Sequence, residues 1–209
     1  MILTDKHTHI IEKAETLFAT KGYSGTSIRD IAKAANVNLA MVSYYFGSKE
    51  KLMETLFKER ISLMQLKIET LLKNETISPF QKVEIMIDEY ISKVLNKQSF
   101  YKIMLCEMAQ RKNRVVVKFI RDIKLNYANM MRGLVEEGQQ KKIFKKDIDI
   151  MLLMNTMTGT VTQMIMNKEI YREFNSLKKV SETGYDERLK KILGDHLKKI
   201  FKTLLEYES

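Results

Sequence analysis

A single proline, Pro79, interrupts 209 residues in which apolar side chains recur every three or four positions along most of the length. Proline inside a helix removes a hydrogen bond and clashes with the preceding turn, so a chain almost without it is free to be helical nearly throughout. Only eight glycines are available as breakers, and no alternating apolar and polar run of useful length signals a strand. Val115-Val116-Val117 favours β structure locally but sits in a helical context. The expectation is an all-α protein, and 209 residues are enough to divide into a small and a larger unit.

The lone Cys106 can form no internal disulfide, and the first residues lack the apolar core of an export signal, so the cytoplasm is the expected compartment. The longest uncharged run, 150–167, holds Asn155, Thr156, Thr158, Thr160, Thr162 and Gln163, too polar for a bilayer span of roughly 20 apolar residues. It reads as a buried helix, and no membrane partner is expected. The formal charge of +10 suits a polyanion, yet residues 1–50 carry only six Lys/Arg against five Asp/Glu. The positive excess therefore lies outside the opening stretch, where it fits a solvated surface equally well.

Ile10, Ile11, Ala14, Leu17 and Phe18 recur at helical spacing, and Gly22 stands where a left-handed residue ends a helix, which places a first helix at residues 5–21. Thr26 or Ser27 can cap a short second helix ending near Ala35, with Ser27 and Asp30 forming a capping box. A tight turn at 36–38 leads into NLAMVSYYFGSKEKL, and Ser48 is placed to cap a long fourth helix running toward Lys73. After a break at 74–78, Pro79 opens a further helix, and amphipathic stretches cover 79–96, 99–110, 115–140, 147–167 and 185–207. Residues 178–184 are the most loop-like of the C-terminal half.

Two short helices joined by a tight turn suggest a helix-turn-helix, whose second helix buries one face and offers the other to a groove. At about 100° per residue, Val42 and Phe46 share one face, Ala40, Met41, Ser43 and Tyr44 point away from it, and Leu39 and Tyr45 lie on the flanks. Leu, Ala and Met can touch a thymine methyl, Ser can bond either kind of base edge, and tyrosine hydroxyls can reach phosphate. Gly47 permits a sharp turn, and Lys49 enters the first turn of the next helix, whose free N–H groups favour an anion.

The run LFATKGYSGTSIRDIAKAANVNLAMVSYYFGSKEKL, residues 17–52, resembles the DNA-binding domain of TetR-family transcriptional regulators. The resemblance rests on the Leu-Phe end of helix one, the Gly-Tyr turn, Thr-Ser before Ile-Arg-Asp-Ile-Ala, and Tyr-Tyr-Phe before Gly-Ser-Lys-Glu. It implies an N-terminal three-helix DNA-binding domain, 1–47, and a helical ligand-binding and dimerisation domain, 48–209, in a homodimer that reads a palindromic double-stranded operator. Carried over by position, it implies that Arg29, Leu39, Ala40, Met41 and Ser43 face bases while Thr26, Ser27, Tyr44, Tyr45 and Lys49 hold the backbone. Thr26 and Ser27 also suit a simple cap, Tyr45 a place in the core, and Arg29 an ion pair with Asp30 or Glu50. Many members carry a tyrosine where Ser43 stands, so the operator preference is open. The family default is a repressor released by a small effector, with no cofactor.

The stripe Leu189, Ile192, Leu193, Leu197, Ile200, Phe201 and Leu204 either closes a monomer core or, as the resemblance implies, builds a four-helix dimer interface. Tyr90, Phe100, Tyr101, Met104, Met108, Phe119, Tyr127, Met130 and Met131 make the middle of the chain rich in adaptable apolar side chains. They suit a pocket for a small apolar or amphipathic effector, or equally a Met-rich core. An enzyme is disfavoured: the three histidines, His7, His9 and His196, lie at the two ends, and no nucleophile elbow, P-loop or dinucleotide fingerprint is present. His7-x-His9 is too short for a metal site, and Cys106 reads as a packed small residue. The remaining alternative is a DNA-binding protein of chromosome organisation or recruitment, without an effector.

Overall fold

The computed structural model describes residues 2–111 and 113–207. Ten helices follow one another among the described residues: α1 (Ile2–Lys21), α2 (Ile28–Ala34), α3 (Leu39–Phe46), α4 (Lys49–Leu72), α5 (Pro79–Asn96), α6 (Gln98–Gln110), α7 (Arg114–Gln140), α8 (Ile150–Met166), α9 (Lys168–Phe174) and α10 (Glu182–Leu205). The only extended pairing among the described residues is an isolated bridge between Phe144 and Glu206. The all-α expectation is met, and no described helix is long and apolar enough to cross a membrane.

The chain forms two compact units, and neither is one continuous segment: residues 1–67 join 99–124, and 68–98 join 125–209. In the first unit α1 packs on α2 and α2 on α3. Ile10, Ile11, Ala14 and Phe18 of α1, Ile31 and Ala32 of α2, and Val42 and Phe46 of α3 are buried, as is the α4 quartet Leu52, Met53, Leu56 and Phe57. The caps follow the sequence signals. Ser27 accepts from the Asp30 N–H while the Asp30 carboxylate accepts from the Ser27 N–H, and Asn38 accepts from the Met41 N–H to start α3. Gly22 and Gly47 both take positive φ, 75° and 72°, which a side chain would strain. Phe57 meets Phe100 of α6 at 4.8 Å and Phe119 of α7 at 6.0 Å, edge to face, so an aromatic cluster continues the core beneath the three short helices.

The second unit is built on α5 against α10, with α8 packed on both. Val83, Ile87, Ile91 and Val94 of α5 and Leu153, Met157 and Val161 of α8 are buried with the α10 stripe. Lys82 is fully buried and donates to the Leu72 carbonyl at the end of α4 and to the Glu137 carboxylate, both at 2.9 Å. Lys141 and Lys82 together hold the Glu137 carboxyl below its usual range.

Three sequence expectations need correction here. Cys106, expected as a packed small residue, is exposed. The short helix α9 was not foreseen, because its stability is tertiary: Lys168 and Arg172 both reach Glu182 of α10, and Arg172 also stacks at 4.9 Å over the Tyr185 ring. The stripe expected at a subunit interface is largely internal: Leu189, Leu193, Leu197 and Phe201 are buried within their own chain, Ile192 and Ile200 are half-buried, and only Leu204 is exposed. Leu193→Ala should therefore lower the unfolding free energy by about 2–5 kcal/mol in a urea titration. A loss near zero, with a change only in oligomer size, would return Leu193 to a subunit contact.

Candidate nucleic-acid interface

The recognition surface begins with what α3 leaves outside. With Val42 and Phe46 inward, Leu39, Ala40, Ser43 and Tyr44 stand in solvent, Tyr44 at 81% exposure, while Met41 and Tyr45 are half-buried. Arg29 and Ser27 are exposed on and before α2. The Ser27 hydroxyl donates to Asp30 Oδ2 at 2.6 Å and the Ser27 N–H to the same oxygen at 2.9 Å, which holds that carboxyl below its usual range and leaves Ser27, expected on a phosphate, without a free donor for one. Arg29 has no carboxylate within ion-pair distance among the described residues, so the sequence alternative of a bond to Asp30 or Glu50 is not seen.

Two of the expected phosphate contacts take other positions. Thr26 is 1% exposed, and its hydroxyl donates to the carbonyls of Gly22 (2.9 Å) and Leu17 (3.3 Å). It closes the end of α1, and the side chain expected on a phosphate is unavailable to one. Lys49 Nζ donates to the Tyr23 and Thr26 carbonyls, each at 3.0 Å, and lies 4.1 Å from the centre of the Tyr23 ring. Two of its three donors thus staple the start of α4 to the loop between α1 and α2. The backbone N–H of Lys49, in the first turn of α4, keeps the anion-binding character expected of a helix N-terminus.

Around this staple sits a polar cluster that sequence reasoning missed. Tyr23 Oη donates to Glu50 Oε1 at 2.8 Å; burial, this bond and the Glu50 charge raise the phenol far above its ordinary value. Glu50 is held low, first by its own backbone N–H and then by Tyr23. Glu107 of α6 is buried, and its carboxyl is pushed up by desolvation although the Lys49 charge opposes the shift. Tyr45, whose place was open in the sequence, is fixed from α1: the His7 ring stacks on Phe46 at 4.7 Å and meets Tyr45 edge-on at 5.8 Å, with Nδ1 3.5 Å from Glu59. The Gly-Tyr turn was a visible signal for Tyr23; nothing in the spacing pointed to His7 or Glu107.

The apolar candidates do not gather in one unit. Phe100 and Tyr101 are buried and Met104, Met108 and Phe119 half-buried in the first, while Tyr90 and Met131 are buried and Tyr127 and Met130 half-buried in the second. Tyr127 stands apart chemically. Its hydroxyl is enclosed without a hydrogen-bond partner, and burial, with the Glu69 charge adding, pushes the phenol up to about 12. An enclosed, unpartnered hydroxyl is costly and fits a place where a ligand's polar atom completes the bonding.

A three-helix head with a capped, outward-facing third helix, joined to an all-helical remainder, defines a helix-turn-helix DNA-binding regulator. The sequence profile of the bacterial regulatory proteins of the tetR family matches residues 10–56, and that of the YsiA-like C-terminal region matches 57–200. The chain belongs to the TetR family of transcriptional regulators. It is 27% identical over 170 residues, 79% of this chain and 87% of the relative, to the fatty acid metabolism regulator protein of Bacillus subtilis. The fold is shared with the fatty acid degradation regulator FadR of Bacillus halodurans, at a TM-score of 0.71, 24% identity and coverage of 92% of this chain and 94% of that one. FadR of Bacillus subtilis, solved in complex with stearoyl-CoA, aligns at a TM-score of 0.65 with 23% identity, covering 91% and 96%.

Lys49→Met should weaken the head by about 1–3 kcal/mol, since it strips the Thr26 and Tyr23 carbonyls of a donor. The slope of log affinity for duplex DNA against log salt should stay that of the unaltered chain. A slope reduced by about 0.9 would show instead that the ammonium itself neutralises a phosphate.

Proposed function

We propose that the protein is a ligand-responsive repressor that acts in the cytoplasm as a homodimer on a palindromic operator. Arg29, Leu39, Ala40, Met41 and Ser43 face base edges, while Tyr44, Tyr45 and the backbone N–H of Lys49 hold phosphates. The observation that carries this is the division of α3: Val42 and Phe46 are buried in the head, while Leu39, Ala40, Ser43 and Tyr44 stand in solvent. Arginine, small apolar side chains and serine are sequence-reading groups in a major groove, and phosphate-facing tyrosines fix register. Base reading falls within 1–47, with effector and partner binding in 48–209, although the compact units, 1–67 with 99–124 and 68–98 with 125–209, do not divide at residue 47.

The effector class that fits best is a long-chain acyl thioester. Support comes from the names of the similar regulators, one of them bound to stearoyl-CoA, and from the enclosed, unpartnered Tyr127 hydroxyl. Release of DNA requires that the effector bind one conformation more tightly than another. The dimer forms through what the α10 stripe leaves outside, Leu204 with half-buried Ile192 and Ile200, and through the exposed Met151 and Leu152 of α8.

Selection of genomic fragments with the purified protein should return a few promoter-proximal sites with an inverted repeat. Dispersed sites without symmetry would favour a role in chromosome organisation. Stearoyl-CoA should weaken binding to the selected duplex at least tenfold, and Tyr127→Phe should blunt that response without altering affinity for DNA alone. Met41→Ala should change the selected base motif, and an identical motif would remove Met41 from the reading set. Leu152→Glu should yield monomers in sedimentation; a dimer of unchanged size would refute the α8 contact.

A further inference from the structure

The positive charge of this chain is not spread evenly over its two compact units. Residues 1–67 and 99–124 carry 17 Lys/Arg against nine Asp/Glu, whereas 68–98 and 125–209 carry 19 against 17, so eight of the ten excess charges accompany the head. The sequence suggested the reverse, because the excess lies outside residues 1–50. Folding places a later segment in the same unit: 99–124 alone holds seven Lys/Arg and two Asp/Glu.

The corner between α6 and α7 concentrates this charge. Arg111, Arg114 and Lys118 are all exposed, and among the described residues none has a carboxylate within ion-pair distance. Arg114 and Lys118 are four apart on α7 and share a face. Arg121, also exposed, differs in pairing with Asp122 at 3.5 Å. Arg111 ends α6 in the left-handed region at φ 51°, where glycine or asparagine is the favoured residue, so a long cationic side chain is held at the corner despite the backbone. Asn113 caps α7 by accepting from the Val116 N–H at 3.2 Å, and Phe100 of α6 and Phe119 of α7 both pack on Phe57 of α4. The start of α4 is stapled by Lys49 to the loop of Tyr23, so α4 joins that loop to the helices that carry the basic corner, in one compact unit with the head.

We infer that Arg111, Arg114 and Lys118 form a second DNA-binding surface, which holds backbone phosphates of duplex flanking the base pairs read by α3. This rests on the reading of α1–α3 as the duplex-binding head. Guanidinium forks match phosphate oxygens and carry no sequence information, so the corner adds affinity and salt dependence but leaves the motif unchanged.

The test compares the full chain with the triple variant Arg111→Ser/Arg114→Ser/Lys118→Ser on two duplexes, the selected core and the same core extended at each end by about ten base pairs, one helical turn. The unaltered chain is expected to bind the extended duplex more tightly, with a salt slope steeper by about 0.9 for each added phosphate contact. The triple variant should lose that difference and bind the core as before. Arg111→Lys/Arg114→Lys should keep most of it, separating charge from local packing. Equal length dependence in both proteins overturns the inference, and so does a variant that loses affinity equally on both duplexes, because that loss originates in the head. If the slope is unchanged while binding of free coenzyme A falls, the corner takes a phosphorylated small molecule and the DNA assignment fails. An unaltered chain that binds neither duplex overturns the regulator reading as well.

Discussion

Eight residues are too few to hold a helix in water, where isolated helices shorter than about 12–15 residues are marginal. The recognition helix α3 (Leu39–Phe46) therefore exists only because Val42 and Phe46 are buried against α1 and α2 and because both its ends are capped. Everything else in the head serves that constraint. Thr26 closes α1 onto the next loop, Ser27 and Asp30 cap α2, Gly47 turns the chain out of α3, and Lys49 ties α4 back to the loop of Tyr23. A helix held mainly by two side chains keeps Leu39, Ala40, Ser43 and Tyr44 in solvent, which is why so short an element can be a reading head.

Charge follows the same economy of position. Lys49 is drawn inward by two carbonyls and an aromatic face, so this cation at the base of α4 is a structural group. Other cations of the same unit, Arg111, Arg114 and Lys118, are exposed, and they come from a segment more than sixty residues along the chain from α3. In the second unit a buried cation has a comparable part. Lys82 donates to the Leu72 carbonyl that ends α4 and pairs with Glu137, so the end of that helix is anchored by a charge rather than by apolar contact alone.

The parts of the fold legible in the sequence are those decided within a few residues. Helix spacing over Ile10 to Phe18, the capping box of Ser27 and Asp30, Pro79 in a first turn, and the two-sided pattern of Val42 and Phe46 depend on local geometry and appear as expected. Errors arose where a side chain had more than one possible neighbour. An apolar stripe such as Leu189 to Phe201 is the same whether a helix of its own chain or of a partner covers it; α5 and α8 cover most of it here. The family resemblance puts Thr26 and Lys49 on phosphates, but the hydroxyl and the ammonium find carbonyls of their own chain first. Helix α9 is stabilised by ion pairs to Glu182, which no periodicity within seven residues can reveal.

By itself, then, the sequence determined the helical class, the order of elements and which face of α3 looks outward, because helix propensity, caps and a 3.6-residue period are properties of neighbouring residues. Only the tertiary structure decided which cations are internal and which are available, that the central aromatics belong to two units rather than one, and that the positive charge of residues 99–124 accompanies the head. Those outcomes depend on contacts between residues 20 to 110 positions apart, such as Lys49 with Tyr23 and Lys198 with Asp88, where Coulomb attraction and desolvation act through space and leave no spacing pattern along the chain.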